Sequence, residues 1–61
     1  MQNQILEKYN FNQTSNYSWD NGIFEILFVD DEMSVIYLEN SKKIFKNKVP
    51  KDFESYIKEL N

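Results

Sequence analysis

The sequence is 61 residues long, has a formal net charge of −3 at neutral pH, and contains neither cysteine nor histidine. These absences exclude disulfides, thiolate nucleophiles and metal sites built on cysteine or histidine, and they remove the usual general base near neutral pH. So short a chain is expected to form a single α+β domain over residues 1–61 with a small core. An apolar interior, association with another chain, or both must therefore stabilise it.

The amino-acid usage is biased toward residues with AT-rich codons. Alanine and arginine are absent, every cation is lysine, and asparagine, isoleucine, lysine and phenylalanine are abundant. This bias indicates a low-GC bacterial source or one of its phages or other mobile elements. No apolar run exceeds four residues, and the first residues lack the basic and apolar regions of a signal peptide. We therefore expect a cytoplasmic protein with no membrane span.

Residues 2–9 are predicted to form a short helix, because Ile5, Leu6 and Tyr9 fall on one side of it. Two turns are marginal alone, so this helix needs tertiary contacts. The polar segment that follows, residues 10–18, is rich in turn-forming residues. We interpret it as a loop that becomes a strand near Tyr17.

An antiparallel β-meander of three or four strands is predicted in the middle of the chain. Asn21-Gly22 is typical of a two-residue type I′ turn, in which both residues have positive φ. Apolar and β-branched residues then predict strands at 23–29 and 33–39, with a weaker strand at 42–48. Pro50 ends the sheet because it cannot donate a backbone hydrogen bond.

The last segment is predicted to be an amphipathic helix. Its apolar residues recur at the spacing i, i+3, i+4, i+7, which places them on one stripe facing the core. They are Phe53, Tyr56, Ile57 and Leu60.

Three consecutive acids, Asp30, Asp31 and Glu32, separate the two most apolar strands. They suggest either a metal-binding cluster or the exposed tip of a hairpin. Successive strand side chains point to opposite faces and do not converge on one ion. Calcium loops also space their acids at alternate positions around a glycine. We therefore predict a solvated turn and no metal site.

The apolar residues of this hairpin occupy both faces of the predicted sheet. A three-residue turn pairs Leu27 with Val35, whereas a turn of two or four residues shifts the pairing by one. The C-terminal helix covers one face, and the second must be covered by the N-terminal helix with Trp19 and Tyr17, or by another chain. With the three-residue turn, the second face is the predicted protein interface, and a homodimer is expected to form through it. Its residues are Leu27, Val29, Val35 and Tyr37.

Charge is divided unevenly along the chain. Residues 1–41 have a net charge of −6 and residues 42–61 a net charge of +3. The lysines in the second part surround an aromatic residue, which suggests contact with an anion or a nucleic acid. Alternatively, they protect an edge strand from aggregation, which we prefer because the chain is acidic and has no arginine. The residues of this lysine strip are Lys42, Lys43, Phe45, Lys46, Lys48 and Lys51.

Enzymatic activity is not expected, since no serine has a histidine to activate it and no glycine-rich loop is present to hold a phosphate. No cofactor is expected either. The sequence favours a small non-catalytic protein-binding module that acts as a regulator, inhibitor or assembly component. The alternatives are a nucleic-acid accessory protein that uses the lysine strip and a small-ligand binder. The ligand binder would use the aromatic residues Tyr9, Phe11, Tyr17 and Trp19.

Overall fold

The computed structural model describes residues 2–61, which form two helices and five strands. In chain order the elements are α1 (Gln2–Lys8), β1 (Asn12–Ser15), β2 (Ser18–Asp20), β3 (Phe24–Val29), β4 (Glu32–Tyr37), β5 (Lys42–Lys48) and α2 (Phe53–Leu60). The strands form one antiparallel sheet in the order β1-β2-β3-β4-β5. The predicted α+β fold is confirmed, with five strands in the meander in place of three or four.

β1 was not predicted from the sequence. All four of its residues are exposed, so it has no apolar alternation to reveal it. Its position is supported by hydroxyl groups: Thr14 Oγ1 lies 2.7 Å from the hydroxyl of Ser18, and Ser15 also contacts that hydroxyl. Ser18 is buried, and a buried hydroxyl requires such partners. These contacts join β1 to β2.

The turn between β2 and β3 lies one residue later than predicted. The Asn21 N–H donates to the carbonyl of Phe24 at 3.2 Å, which leaves Gly22 and Ile23 at the centre of the turn. Gly22 has a φ of +89°, whereas Asn21 does not have a positive φ. The Asn21 side chain instead accepts hydrogen bonds from the N–H groups of Ile23 and Phe24 at 2.9 and 2.8 Å. The type I′ prediction is wrong because this asparagine caps the turn from its edge.

The β3–β4 turn contains two residues, Asp30 and Asp31, and not three. Val29 therefore pairs with Glu32, and Ile26 pairs with Val35. Asp30 has a φ of +56°, a left-handed conformation that aspartate tolerates better than most residues. The shorter turn shifts the strand pairing by one residue relative to the three-residue alternative. Because side chains alternate, this shift moves every β4 side chain to the other face.

Both helices pack on the same face of the sheet, here called the covered face. Cross-strand partners share a face, so Trp19, Ile26 and Val35 lie together on it. Leu6 of α1 and Ile57 of α2 join the same cluster and are fully buried. The N-terminal helix therefore does not cover the second face. The buried apolar residues are Leu6, Phe11, Trp19, Ile26, Met33, Val35, Phe53 and Ile57.

α2 confirms the predicted apolar stripe. Phe53 and Ile57 are buried, while Tyr56 and Leu60 are partly buried against the same cluster. Asp52 caps the helix by accepting the Ser55 N–H at 3.2 Å. The Ser55 hydroxyl donates to the second carboxylate oxygen at 2.8 Å. This cap satisfies a backbone donor that the first turn leaves free and sets where the helix begins.

Candidate functional site

The second face of the sheet carries no helix, and we call it the uncovered face. It consists of the side chains that alternate with the core residues: odd-numbered positions of β3, even-numbered positions of β4, and their partners on β2 and β5. One row across it runs Asp20, Glu25, Ile36 and Lys43. A second row runs Ser18, Leu27, Ser34 and Lys46.

Apolar side chains occupy the middle of the uncovered face. Leu27 on β3 and Ile36 on β4 are half-buried. Val29 is 59% exposed, and Ile23 and Leu38, whose backbones hydrogen-bond across the β3–β4 pair, are 54% and 38% exposed. Five large apolar side chains are exposed in residues 2–61, and four of them lie on the uncovered face: Ile23, Val29, Leu38 and Ile44. The fifth, Tyr17, lies in the β1–β2 turn. These apolar side chains lie on adjacent strands and are interrupted by Glu25 and Ser34. Exposed apolar residues grouped on one face in this way are typical of an interaction site.

A β-bulge adds Ile44 to the uncovered face. Val35 pairs with Phe45 but Ile36 pairs with Lys43, so Ile44 is the extra residue. In a bulge, two residues of one strand oppose one residue of the other, which places Lys43 and Ile44 together across from Ile36. Ile44 is 47% exposed. The bulge therefore extends the apolar surface onto β5.

Apart from the cross-strand neighbours Glu32 and Lys48, the charges of the uncovered face are separated. Asp20 and Glu25 lie on β2 and β3, whereas Lys43 and Lys46 lie on β5 at the opposite side. Among residues 2–61 the single ion pair within 4.0 Å joins the two helices and not this face. The sheet charges are thus directed to solvent with no ionic partner at contact distance in the described part of the chain.

The predicted interface residues do not lie together. Leu27 and Val29 are on the uncovered face, but Val35 is fully buried on the covered face. Tyr37 is also on the covered face, where its ring centroid lies 5.6 Å from that of Phe24. The predicted grouping was wrong because it assumed the three-residue turn. With two residues in that turn, Ile36 of β4 and Leu38, which directly follows β4, lie on the same face as Leu27 and Val29.

The residues of the lysine strip also do not share one face of the sheet. Lys43, Lys46 and Lys48 are on the uncovered face, whereas Lys42 pairs with Tyr37 of the covered face and Lys51 lies in the segment before α2. Phe45 packs against Tyr56 of α2, with ring centroids 4.9 Å apart. Its half-buried ring is therefore engaged with the helix, and a base could not stack on both of its faces.

The acidic turn is exposed, with Asp30 and Asp31 in the turn and Glu32 at the start of β4. No group of three or more acidic residues within residues 2–61 is arranged to hold a metal ion. Three of the four aromatic residues considered for a small ligand have partners within the fold. Phe11 and Trp19 belong to the core, and Tyr9 contacts Glu54 of α2.

A shallow hollow of about 430 Å³ lies at one end of the apolar surface. The hollow lies between the β2–β3 turn and the residues at the end of β4. Ile23 from the turn and Leu38 after β4 are its apolar lining residues. Tyr37 closes its other side and donates a hydrogen bond to Glu39 at 3.2 Å. The hollow is large enough to receive an aliphatic side chain from a bound protein.

No protein-family model, curated protein or solved structure matches the chain. Within residues 2–61, neither helix has the length and apolar character needed to cross a bilayer.

Proposed function

We propose that the chain is a non-catalytic protein-binding module that docks its partner on the uncovered face of the sheet. The observation that carries this proposal is the placement of both helices on one face, which leaves the aliphatic side chains of the other face in contact with water. Burying such side chains in a complex is favourable by about 25 cal/mol for each Å² removed from water. A regulator, inhibitor or assembly component would use such a surface.

The chemistry of the face defines the partner. The middle of the face, around Leu27 and Ile36, requires an aliphatic surface. Basic groups are required opposite Glu25 and acidic groups opposite Lys46, because oppositely charged pairs orient a complex and exclude other partners. The partner is therefore a protein surface with an apolar centre and charges of opposite sign on its two sides.

A library of random peptides displayed on phage and selected on the immobilised protein tests the location of this surface. We expect the selected clones to lose binding when Val29→Glu is introduced on the uncovered face. Tyr17→Glu is the matched control, because Tyr17 is 58% exposed and Val29 59%, but Tyr17 lies in the β1–β2 turn. Clones that bind the Val29→Glu protein as well as the native one would contradict the proposal.

A second candidate function is contact with a nucleic-acid backbone along Lys43, Lys46 and Lys48. It is supported by the absence of an ionic partner within 4.0 Å of these lysines among residues 2–61. We rank it second because the face also carries acids, which repel phosphates, and because the Phe45 ring packs on α2. Salt dependence separates the two functions, since backbone binding weakens steeply as salt is added.

A further inference from the structure

We propose that the partner on the uncovered face is a second copy of this chain, packed face to face about a twofold axis that runs parallel to the strands. This inference rests on the proposed function and names its partner. A twofold interface requires a surface that is complementary to itself after rotation. The distribution of charge and of apolar side chains on the face meets that requirement for one orientation of the axis.

The charges select the axis. Glu32 and Lys48 are cross-strand partners and offset each other, so the separated charges are Asp20 and Glu25 on one side and Lys43 and Lys46 on the other. A twofold axis parallel to the strands reverses the order of the strands in the second copy. β5 of one copy then lies over β2 of the other, so at each end of the interface Lys43 lies over Asp20 of the second copy, one strand away from Glu25. An in-plane axis perpendicular to the strands would place like charges together, which is unfavourable.

The same rotation aligns the apolar side chains. β3 of one copy lies over β4 of the other because these are the middle two of the four strands β2–β5. Ile23 then approaches Leu38 of the second copy, and Leu27 and Ile36 form the centre. Sheets packed in this way keep their strands within about 30° of each other. The arrangement therefore makes a two-sheet sandwich with a helix layer on each outer side.

The small size of the face limits the expected affinity. Strands β3, β4 and β5, each at least about 20 Å long, together with the shorter β2 and a spacing of about 4.8 Å, give a footprint of about 350 Å². Two such faces bury about 700–1,000 Å² in total, which is below the range of stable specific interfaces and typical of weak or transient ones. We therefore expect dissociation in the micromolar range and a monomer–dimer equilibrium that is measurable from about 10 μM to about 1 mM.

The test uses two charge variants that keep the apolar surface. The first combines Asp20→Asn with Glu25→Lys; asparagine is chosen because the Asp20 carboxylate accepts the Gly22 N–H at 3.2 Å. The second combines Lys43→Glu with Lys46→Glu. Each variant carries like charges on both sides of its face, so neither is expected to pair with itself. In an equal mixture, Lys43 of the first variant lies over Asp20 of the second. The acids introduced on β5 of the second lie beside the lysine introduced at position 25 of the first, so the dimer should form.

Light scattering after size exclusion measures the outcome. The native chain should shift with concentration from 7.4 kDa toward twice that mass, each variant should stay at the monomer mass, and the mixture should recover the dimer. Far-UV circular dichroism verifies that both variants are folded. If either variant is unfolded, cross-linking replaces the mixing test. The single variants Ile23→Cys and Leu38→Cys are mixed and treated with a short bis-maleimide; the two cysteines are kept on separate chains because Leu38 donates its N–H to Ile23 within one chain. Efficient cross-linking between the two chains is expected.

Three results would overturn the inference. The first is a native mass that stays at 7.4 kDa up to about 1 mM. The second is that either charge variant alone associates as strongly as the native chain. The third is that no cross-link forms between position 23 of one copy and position 38 of the other. A monomeric native chain whose selected peptides still require Val29 would refute the dimer while leaving the proposed function in place. Selected peptides that bind the Val29→Glu protein as well as the native one would refute the proposed function itself.

Discussion

Lys8 Nζ lies 2.9 Å from Glu54 Oε2, which joins α1 to α2 through residues 46 positions apart in the sequence. Tyr9 donates its hydroxyl hydrogen to the same carboxylate oxygen at 2.8 Å. The hydrogen bond from Lys8, together with that from Tyr9, lowers the pKa of Glu54. The same carboxylate raises the pKa of Lys8 and of Tyr9. One acceptor therefore connects the two helices over the covered face.

Glu54→Gln should lower the melting temperature at neutral pH, and this loss should disappear in acid. A group whose pKa is lowered by folding stabilises the fold above its ordinary pKa, and the contribution is lost as the pH falls through the lowered value. Thermal denaturation of the native and variant chains between about pH 7 and about pH 3 would measure the difference. Glu59→Gln, on the same helix, is the control for a change of helix charge. A difference that does not change with pH would contradict the prediction.

Asp30→Gly should stabilise the chain by about 0.5–1 kcal/mol, because glycine adopts a positive φ without the steric cost that a side chain causes. Asp31→Gly makes the same chemical change at a position where φ is not positive, so it should be neutral or destabilising. Urea denaturation of the two variants gives the comparison directly. Equal effects of the two substitutions would show that Asp30 carries no strain.

Val35→Glu should unfold the protein, whereas Ile36→Glu should leave it folded. Val35 is fully buried among apolar residues, where an unpaired carboxylate is very costly. Ile36 lies on the uncovered face, where a carboxylate reaches water. Far-UV circular dichroism of the two variants tests the strand register. If Ile36→Glu were unfolded and Val35→Glu folded, the β3–β4 turn would contain three residues.

Ile57→Ala should cost about 2–4 kcal/mol, because a fully buried side chain leaves a cavity when it is truncated. Leu60→Ala should cost less, since Leu60 is only partly buried near the end of α2. Chemical denaturation at equal protein concentration would rank the two. Similar losses would mean that the end of α2 is as firmly packed as its middle.

A fluorescently labelled single-stranded oligonucleotide should not be retained by the native chain at physiological salt. Binding at low salt, if observed, should be lost when Lys43, Lys46 and Lys48 are changed to glutamine, because each phosphate contact contributes to the salt dependence. Gel shifts at two salt concentrations would decide this. Tight retention at physiological salt that requires these lysines would favour the nucleic-acid function over the protein-binding one.

Much of the fold follows from local patterns in the sequence. The apolar spacing from Phe53 to Leu60 predicts α2 because a single stripe faces the core. The paired apolar runs around Asp30 predict the β3–β4 hairpin. In contrast, β1 has only polar, exposed residues and is held by hydroxyl contacts to Ser18, which depend on tertiary structure.

The candidate site was less predictable because it depends on one residue in one turn. With two residues between the strands, Val35 enters the core and Ile36 faces water; with three, these positions exchange. β3 is apolar on both sides, and β4 has Ile36 on the same side as the polar Ser34, so apolar residues alone do not select between these registers. The signal that could have selected the register is Ser34, which a two-residue turn places on the same face as Glu25. The sequence also leaves open which face α1 covers, since its few apolar residues fit either face.

The meander topology has a consequence for the kinetics of folding. Each strand pairs with its neighbour in sequence, so the sheet requires only short loops to close, whereas α1 reaches α2 after 46 residues. Closing a short loop costs less chain entropy than closing a long one, so short loops are expected to close first. The β3–β4 hairpin should therefore be structured in the folding transition state, and the contact between the helices should form later. Truncation of Ile26 should therefore slow refolding, and loss of the Lys8–Glu54 pair should mainly speed unfolding.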